Sequence, residues 1–274
     1  MKRILTVQDI SCVGKCSLTV ALPIISAAGV ETAVLPTAVL STHTQFRSFT
    51  FHDLTDEIQS ISDTFLELDI DFDSIYTGYL GSFRQLALVG EMFDRFDGAL
   101  KVVDPVMADN GVLYKGFTPE FARAMADLAG KADLIIPNLT EASFMLGIPY
   151  NPDYDEAYIR DILKRLTALG CKHTAISGVS LTPDTIGYYY YDGERDEYHS
   201  YFNEKLPVQF HGTGDIYASA TVGAIMRGRS IPDALRIAVD FTLECMKKTL
   251  ADPNHRTYGV NFEEALPYYT KLLN

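Results

Sequence analysis

From residue 3 to residue 177, short apolar runs alternate with longer stretches whose apolar residues recur every three or four positions. The runs 3–8, 32–36, 74–77, 100–103, 133–136 and 172–177 predict strands. The stretches 17–28, 53–68, 84–96, 119–129, 140–146 and 155–168 predict the helices between them. Strands joined through helices must run parallel, and right-handed crossovers then wind helices onto both faces. The expected fold class is α/β, a doubly wound and mainly parallel sheet. In such sheets ligands bind beyond the carboxyl ends of the strands.

After residue 177 the rhythm changes. Segments 185–191 and 197–202 flank Asp192-Gly193-Glu194-Arg195, and Asp-Gly is a tight-turn signal, so an antiparallel hairpin at the sheet edge is expected. Three helices follow. The first is opened by Gly212-Thr213-Gly214-Asp215 and runs to about Met226; the others cover 232–250 and 262–273. Segment 37–50, TAVLSTHTQFRSFT, has no helical period and reads as a small β flap over the ligand site. No linker, repeat or low-complexity run interrupts the chain, which predicts a single domain over 1–274.

The 274 residues suffice for a large core, and a formal net charge of −13 argues against nucleic acid or an anionic membrane surface as partner. A small anion in one local pocket stays compatible with that charge. Gln8 and Asp9 interrupt the N-terminal apolar run too early for a signal peptide, so a cytoplasmic location is expected. The four cysteines, Cys12, Cys16, Cys171 and Cys245, lack zinc-site spacing and read as reduced thiols.

Gly14-Lys15-Cys16-Ser17 follows the first strand and imitates a phosphate-binding P-loop. That motif needs glycine five residues before Gly14 and a hydroxyl residue after Lys15, where this chain has Asp9 and Cys16. The match fails, and a glycine-containing strand-to-helix turn remains.

Gly212-Thr213-Gly214-Asp215 is different. Glycines at a helix mouth let N–H groups turn towards an anion, and the helix dipole adds partial positive charge. A carboxylate there is repelled by the anion unless its task is to take a proton. The N–H groups of Gly212, Thr213 and Gly214 therefore suit charge on a transferring phosphoryl group, with Asp215 as general base. The plainer alternative is an acidic residue in a helix's first turn.

Further candidates stand at other strand ends. Asp104, before Pro105, could hold a metal or order phosphates through water, or simply start an Asx turn. Asn138 and Glu141 are spaced as a capping box, yet a second carboxylate near Asp104 suits Mg²⁺. Tyr79, within Gly78-Tyr79-Leu80-Gly81-Ser82, offers a flat face for an aromatic ring or belongs to the core. His43 is a polar contact or proton handler in the flap, and Tyr188–Tyr191 reads as packing.

Taken in order, these stretches resemble the ribokinase-like superfamily and, within it, the pyridoxal (vitamin B6) kinase branch. The resemblance runs through Gln8-Asp9, Ser41-Thr42-His43-Thr44-Gln45, Gly78 to Ser82, Asp104-Pro105-Val106-Met107, Pro137-Asn138-Leu139-Thr140-Glu141 and Gly212 to Asp215. It implies ATP-dependent phosphorylation of the 5′-hydroxymethyl group of pyridoxal, pyridoxamine or pyridoxine. Asp215 would be the base, with Gly212, Thr213 and Gly214 as anion hole. Asp104 and Glu141 would manage Mg²⁺ through water, and with Asn138, Asp109, Tyr114 and Ser177 would attend the nucleotide. Asp9, His43, Thr44 and Tyr79 would contact the substrate ring. Such families often form homodimers and often require K⁺. The resemblance also leaves a hydroxymethylpyrimidine kinase, or a non-catalytic nucleotide or pyridoxal-phosphate binder, as alternatives. Asp9 replaces the serine expected after the first-strand glutamine, and Leu40 and His211 also depart from the pattern; these bear on ring preference rather than phosphoryl chemistry.

Overall fold

The computed structural model describes residues 1–274, and the chain divides into two compact units. One comprises residues 1–74 and 206–274, the other residues 75–205.

In the first unit, β1 (Arg3–Val13) pairs in parallel with β2 (Glu31–Thr42) through the crossover helix α1 (Leu18–Ala27). Ile4, Leu5 and Val7 of β1 are fully buried, each contributing about 1.5–3 kcal/mol by removal from water. The β1–β2 register slips once. Gln8 faces Pro36 but Ile10 faces Val39, so Asp9 alone opposes Thr37 and Ala38. Such a bulge bends the strand and re-aims the side chain it carries. β2 continues into the segment read as a flap, and β3 (Phe51–Asp53) returns antiparallel along it. The expected β excursion is present as an extension of the sheet edge. Helix α2 (Thr55–Glu67) accordingly starts two residues later than predicted, because Asp53 belongs to β3 and its carboxylate caps the Thr55 N–H.

The C-terminal part of this unit holds α7 (Thr213–Met226), α8 (Ile231–Ala251) and α9 (Phe262–Leu272). Every residue of α7 from Ile216 to Ala224 is buried, which suits its near-continuous small and apolar sequence. Gly223 lets α7 approach α1 closely: a Cβ there would come within 3.2 Å of Ala28 Cβ. The Tyr269 hydroxyl of α9 donates to the Ala220 carbonyl of α7 at 2.8 Å, locking the last helix onto the central one.

The second unit contains β4 (Ser74–Thr77) from its second residue onward, α3 (Phe83–Arg95), β5 (Leu100–Val103), the two-stranded hairpin β6 (Ala108–Asp109) and β7 (Val112–Leu113), and α4 (Pro119–Ala129). It continues with β8 (Leu134–Ile135), α5 (Leu139–Met145), α6 (Glu156–Thr167), β9 (His173–Thr182), β10 (Thr185–Asp192) and β11 (Glu197–Glu204). β5, β8 and β9 are parallel neighbours, while β9, β10 and β11 are antiparallel, with β11 at the edge. The mainly parallel α/β class and the edge hairpin are thus as the sequence predicted. The β10–β11 connection is wider than Asp-Gly implied: four residues, 193–196, with the Asp192 carboxylate accepting the N–H groups of Glu194 and Arg195. Tyr188 to Tyr191 are all buried, so both faces of β10 are covered. No helix is long and apolar enough to cross a membrane.

Candidate active site

At the carboxyl end of β1 the chain turns through Gly14, Lys15, Cys16 and Ser17 before α1 begins. The N-terminus of α7 comes against this turn. Gly212 has a left-handed backbone (φ 81°), and a Cβ on it would collide with the Lys15 carbonyl oxygen. Two facts therefore demand glycine there, the dihedral and the close passage of another backbone. Gly214 meets nothing within 4 Å at its missing Cβ and lies exposed, so its lack of a side chain keeps space open in front of the helix. The first-turn N–H groups of α7 have no intrahelical acceptors, and Gly212 supplies no side-chain cap. An anion in that space would meet them directly.

Asp215 sits in this first turn, half-buried. Burial pushes its pKa up to about 7, the Ser17 N–H acts in the opposite sense by hydrogen bonding the carboxylate, and the negative Asp9 adds a further upward push. Asp9, on the bulge, is itself buried. Burial raises its pKa as well, partly offset by the hydroxyls of Ser17 and Ser11, the latter at 3.0 Å. Cys16 is buried beside both carboxylates, and burial followed by their negative charge pushes its thiol far up. A carboxylate poised near neutrality is what a general base needs.

The flap contributes His43. The Gln45 N–H donates to its Nδ1 at 3.3 Å, and its Nε2 lies 3.1 Å from the Tyr258 carbonyl oxygen, which can only accept. The ring is therefore the neutral Nε2–H tautomer, and burial lowers its pKa. It lies 4.2 Å from the His211 ring and 4.7 Å from Phe46, centre to centre, above Gly14, whose missing Cβ would fall 2.6 Å from His43 Cδ2. His211 is pushed down to about 4, by burial first and by His43 second. Both histidines are neutral aromatic surfaces at pH 7, not proton carriers. Thr44 follows His43 on the exposed turn of the flap.

The second unit gathers the remaining candidates. Asp104 is buried where the chain leaves β5, its N–H donating to the Thr77 carbonyl at 3.0 Å. Asn138 and Glu141 form the complete capping box of α5. Glu141 is buried, and its carboxylate accepts the N–H groups of Asn138 at 2.9 Å and Met107 at 3.1 Å, with that of Ala108 also on it. Asn138 Nδ2 donates to the Ala108 carbonyl at 2.8 Å. This box therefore clamps the loop from Asp104 onto α5. Burial raises the Glu141 pKa despite the three donors. Asp109 ends β6 and Tyr114 follows β7; both are exposed, with the Tyr114 N–H held by the Met107 carbonyl. The Ser177 N–H donates to the Pro137 carbonyl, beside Asn138. Tyr79 packs against Phe117 at 5.6 Å between ring centres, among the aromatics of α3 and α4.

Asp9, His43 and the Gly212–Asp215 tetrad come together in the first unit; Asp104, Asp109, Tyr114, Asn138, Glu141, Ser177 and Tyr79 lie in the second. No three or more of His, Cys, Asp and Glu gather as a metal cage. Sequence reading missed Ser17, whose N–H and hydroxyl serve Asp215 and Asp9. Its signal was the failed P-loop itself, a turn between a strand and a helix with no phosphate motif to explain it.

The profile of the phosphomethylpyrimidine kinase family matches residues 21–261. The chain belongs to that family. A Staphylococcus aureus protein assigned as a pyridoxine kinase is 30% identical over 72% of this chain and 71% of its own length. The pyridoxal kinase of Dictyostelium discoideum is 26% identical over 89% of this chain and 82% of its own. Among solved structures, a Bacteroides thetaiotaomicron protein assigned as a phosphomethylpyrimidine kinase, in a crystal form with pyridoxal, superposes with TM-score 0.93 at 38% identity. That alignment covers 98% of this chain and 95% of the other. Pyridoxal kinase from Lactobacillus plantarum gives TM-score 0.92 at 31% identity, covering 99% and 98%. The ribokinase-like resemblance, and the pyridoxal kinase branch within it, are borne out by these relatives.

Proposed function

We propose that this family member transfers the γ-phosphoryl group of ATP to the 5′-hydroxymethyl group of a vitamin B6 vitamer. The observation that carries the reading is Asp215. Its pKa lies at about 7, and it stands in the first turn of a helix whose leading N–H groups open onto space kept clear by Gly214. A protein that only bound phosphate would gain by losing that negative charge.

In the proposed reaction Asp215 takes the proton of the substrate hydroxyl as its oxygen bonds to the γ-phosphorus. The bond from that phosphorus to the β–γ bridging oxygen breaks, and ADP leaves. The N–H groups at Gly212, Thr213 and Gly214 stabilise the charge on the transferring group. Asp9, His43, Thr44 and Tyr79 take the ring-contact roles, the neutral His43 as a flat face rather than a base. Asp104, Asp109, Tyr114, Asn138 and Ser177 take the nucleotide roles.

Mg²⁺ with nucleotide phosphates needs only one or two protein carboxylates, the rest of its shell being phosphate oxygen and water. Two oxygen donors, Asp104 and Glu141, meet that requirement without a cage. Since Glu141 already accepts backbone donors on both oxygens, its part is through water, which agrees with the role expected of it. The ion would offset the charge of the phosphates. The reading also carries a single kinase domain, a homodimer and a cytoplasmic location, and families of this type often require K⁺.

The test is ADP release from Mg·ATP with pyridoxal, pyridoxamine, pyridoxine and hydroxymethylpyrimidine, on the wild type and Asp215→Asn. Turnover on a B6 vitamer that collapses in the variant is expected. Turnover on the pyrimidine alone would move the substrate to the activity carried by the hydroxymethylpyrimidine/phosphomethylpyrimidine kinase of Bacillus subtilis, 27% identical over 66% of each chain.

A further inference from the structure

The turn that imitates a P-loop has no phosphate role to play, since its lysine is engaged elsewhere. Lys15 Nζ lies 2.8 Å from Glu263 Oε2 and 3.3 Å from Asn261 Oδ1, and it stands over the Phe262 ring at 5.7 Å. Asn261 is itself held: its N–H donates to Thr249 Oγ1 at 2.8 Å and its Nδ2 to Asp252 at 3.2 Å. The stem of Lys15 fills the place where a Cβ on Gly259 would be, and its carbonyl fills the corresponding place on Gly212. The Thr19 hydroxyl reaches back to the Gly14 and Cys16 carbonyls at 3.0 and 2.8 Å. The turn is fastened on every side.

At its end Ser17 adopts φ 51°, ψ −136°, a region in which a residue with a side chain is strained. As N-cap of α1 its side chain would ordinarily accept a helix N–H, yet it makes no such bond. Its hydroxyl goes to Asp9 and its N–H to Asp215, while its carbonyl accepts from Val20 and Ala21. Strain of this kind persists only where surrounding contacts over-determine it and where the geometry serves the site.

We propose that Lys15, anchored on Glu263 and Asn261, holds Ser17 in this strained conformation, and that Ser17 is the positioning residue that orients Asp215. The proposal rests on Asp215 being the base. Releasing the anchor lets Ser17 relax, withdraws its N–H from the carboxylate and removes a donor that favours the charged form. The other titratable groups near Asp215 keep their places: Asp9 on β1, with the neutral His43 acting on it, and Cys16 in the turn.

The experiment follows kcat and both KM values from pH 5 to 9 for the wild type, Lys15→Met, Lys15→Arg, Glu263→Gln and Asp215→Asn, with thermal melts to establish folding. Lys15→Met is expected to lower kcat about tenfold, the loss of one hydrogen bond to a charged group. It should move the acid limb of the kcat profile up by about one pH unit while leaving KM for Mg·ATP within about twofold. Lys15→Arg should restore the limb, and Glu263→Gln, a half-exposed change that leaves the fold alone, should move it in the same direction by less. Where Lys15→Met does not fold, Glu263→Gln decides. Unmoved acid limbs beside an inactive Asp215→Asn overturn the positioning role and leave the base intact. An active Asp215→Asn overturns the base, and this proposal with it.

Discussion

The carbonyl oxygen of Lys15 fills the space that a Gly212 side chain would need, so the turn after the first strand and the mouth of α7 meet backbone to backbone. That relationship, as much as any ligand, fixes the identity of residue 212. Gly212→Ala combines a displaced loop with a left-handed dihedral and is expected to cost about 3 kcal/mol or more. Denaturant unfolding measures it, and Gly214→Ala, facing open space, should stay close to the wild type in stability while losing turnover.

Asp215 sets two pH dependences. Turnover needs the carboxylate, so kcat should fall about tenfold per unit below pH 7 and level off above it, as read from initial rates across pH. Stability runs the other way. The folded pKa, near 7, exceeds that of an unfolded aspartate, so the folded state binds the extra proton between about pH 4 and 7 and loses stability as pH rises through that window. Asp215→Asn should therefore melt higher than the wild type at pH 8, by an amount on the order of 2 kcal/mol, and match it near pH 4. An unchanged melt at pH 8 would contradict the raised pKa of Asp215.

The neutral histidines make a separate claim. With His211 pushed down to about 4 and His43 locked in the Nε2–H tautomer, neither supplies the acid limb near pH 7. His211→Phe should keep that limb in place, whatever it does to KM for the ring substrate. A limb that vanishes in His211→Phe would give the proton to the histidine.

Thiol chemistry separates the four cysteines. Cys12 is exposed, while Cys16, Cys171 and Cys245 are buried with thiol pKa values raised chiefly by burial. An aromatic disulfide reagent should titrate one thiol rapidly in the native protein and four after denaturation. Rapid labelling of Cys16 in peptide mapping would show that the base's surroundings are open.

Glu141 is a stability residue before any ligand arrives. Its two oxygens take three backbone donors, and glutamine offers one oxygen and sets an NH₂ group against an N–H. Glu141→Gln should destabilise the free protein by about 2 kcal/mol, measured by thermal melting in the absence of nucleotide and Mg²⁺.

The fold was legible because its evidence is local. The apolar runs at 74–77 and 100–103 and the helix at 119–129 coincide with β4, β5 and α4, where period and breakers agree. The boundaries missed are those set by distant partners. β1 runs five residues past its apolar stretch because β2 continues beside it, and Asp53 leaves the helix because it joins β3. The site was legible where chemistry shows as an oddity of composition: two glycines bracketing a threonine before an aspartate. Ser17 was not legible, since a serine at a helix start looks like any cap; only its dihedrals and the direction of its hydroxyl set it apart. The roles of Lys15 and Glu263 escaped for the simplest reason, as 248 positions separate them.

That separation has a consequence for synthesis. The unit carrying Asp215 is built from residues 1–74 and 206–274, and its turn is anchored by a side chain in the last helix. A ribosome that has delivered Lys15 must add 248 further residues before Glu263 exists to fasten it. The nascent chain can thus expose its acidic pair to water, in ordinary ionisation, until the first turn of α9 emerges. Catalytic competence is then conferred only once both segments of that unit have been made.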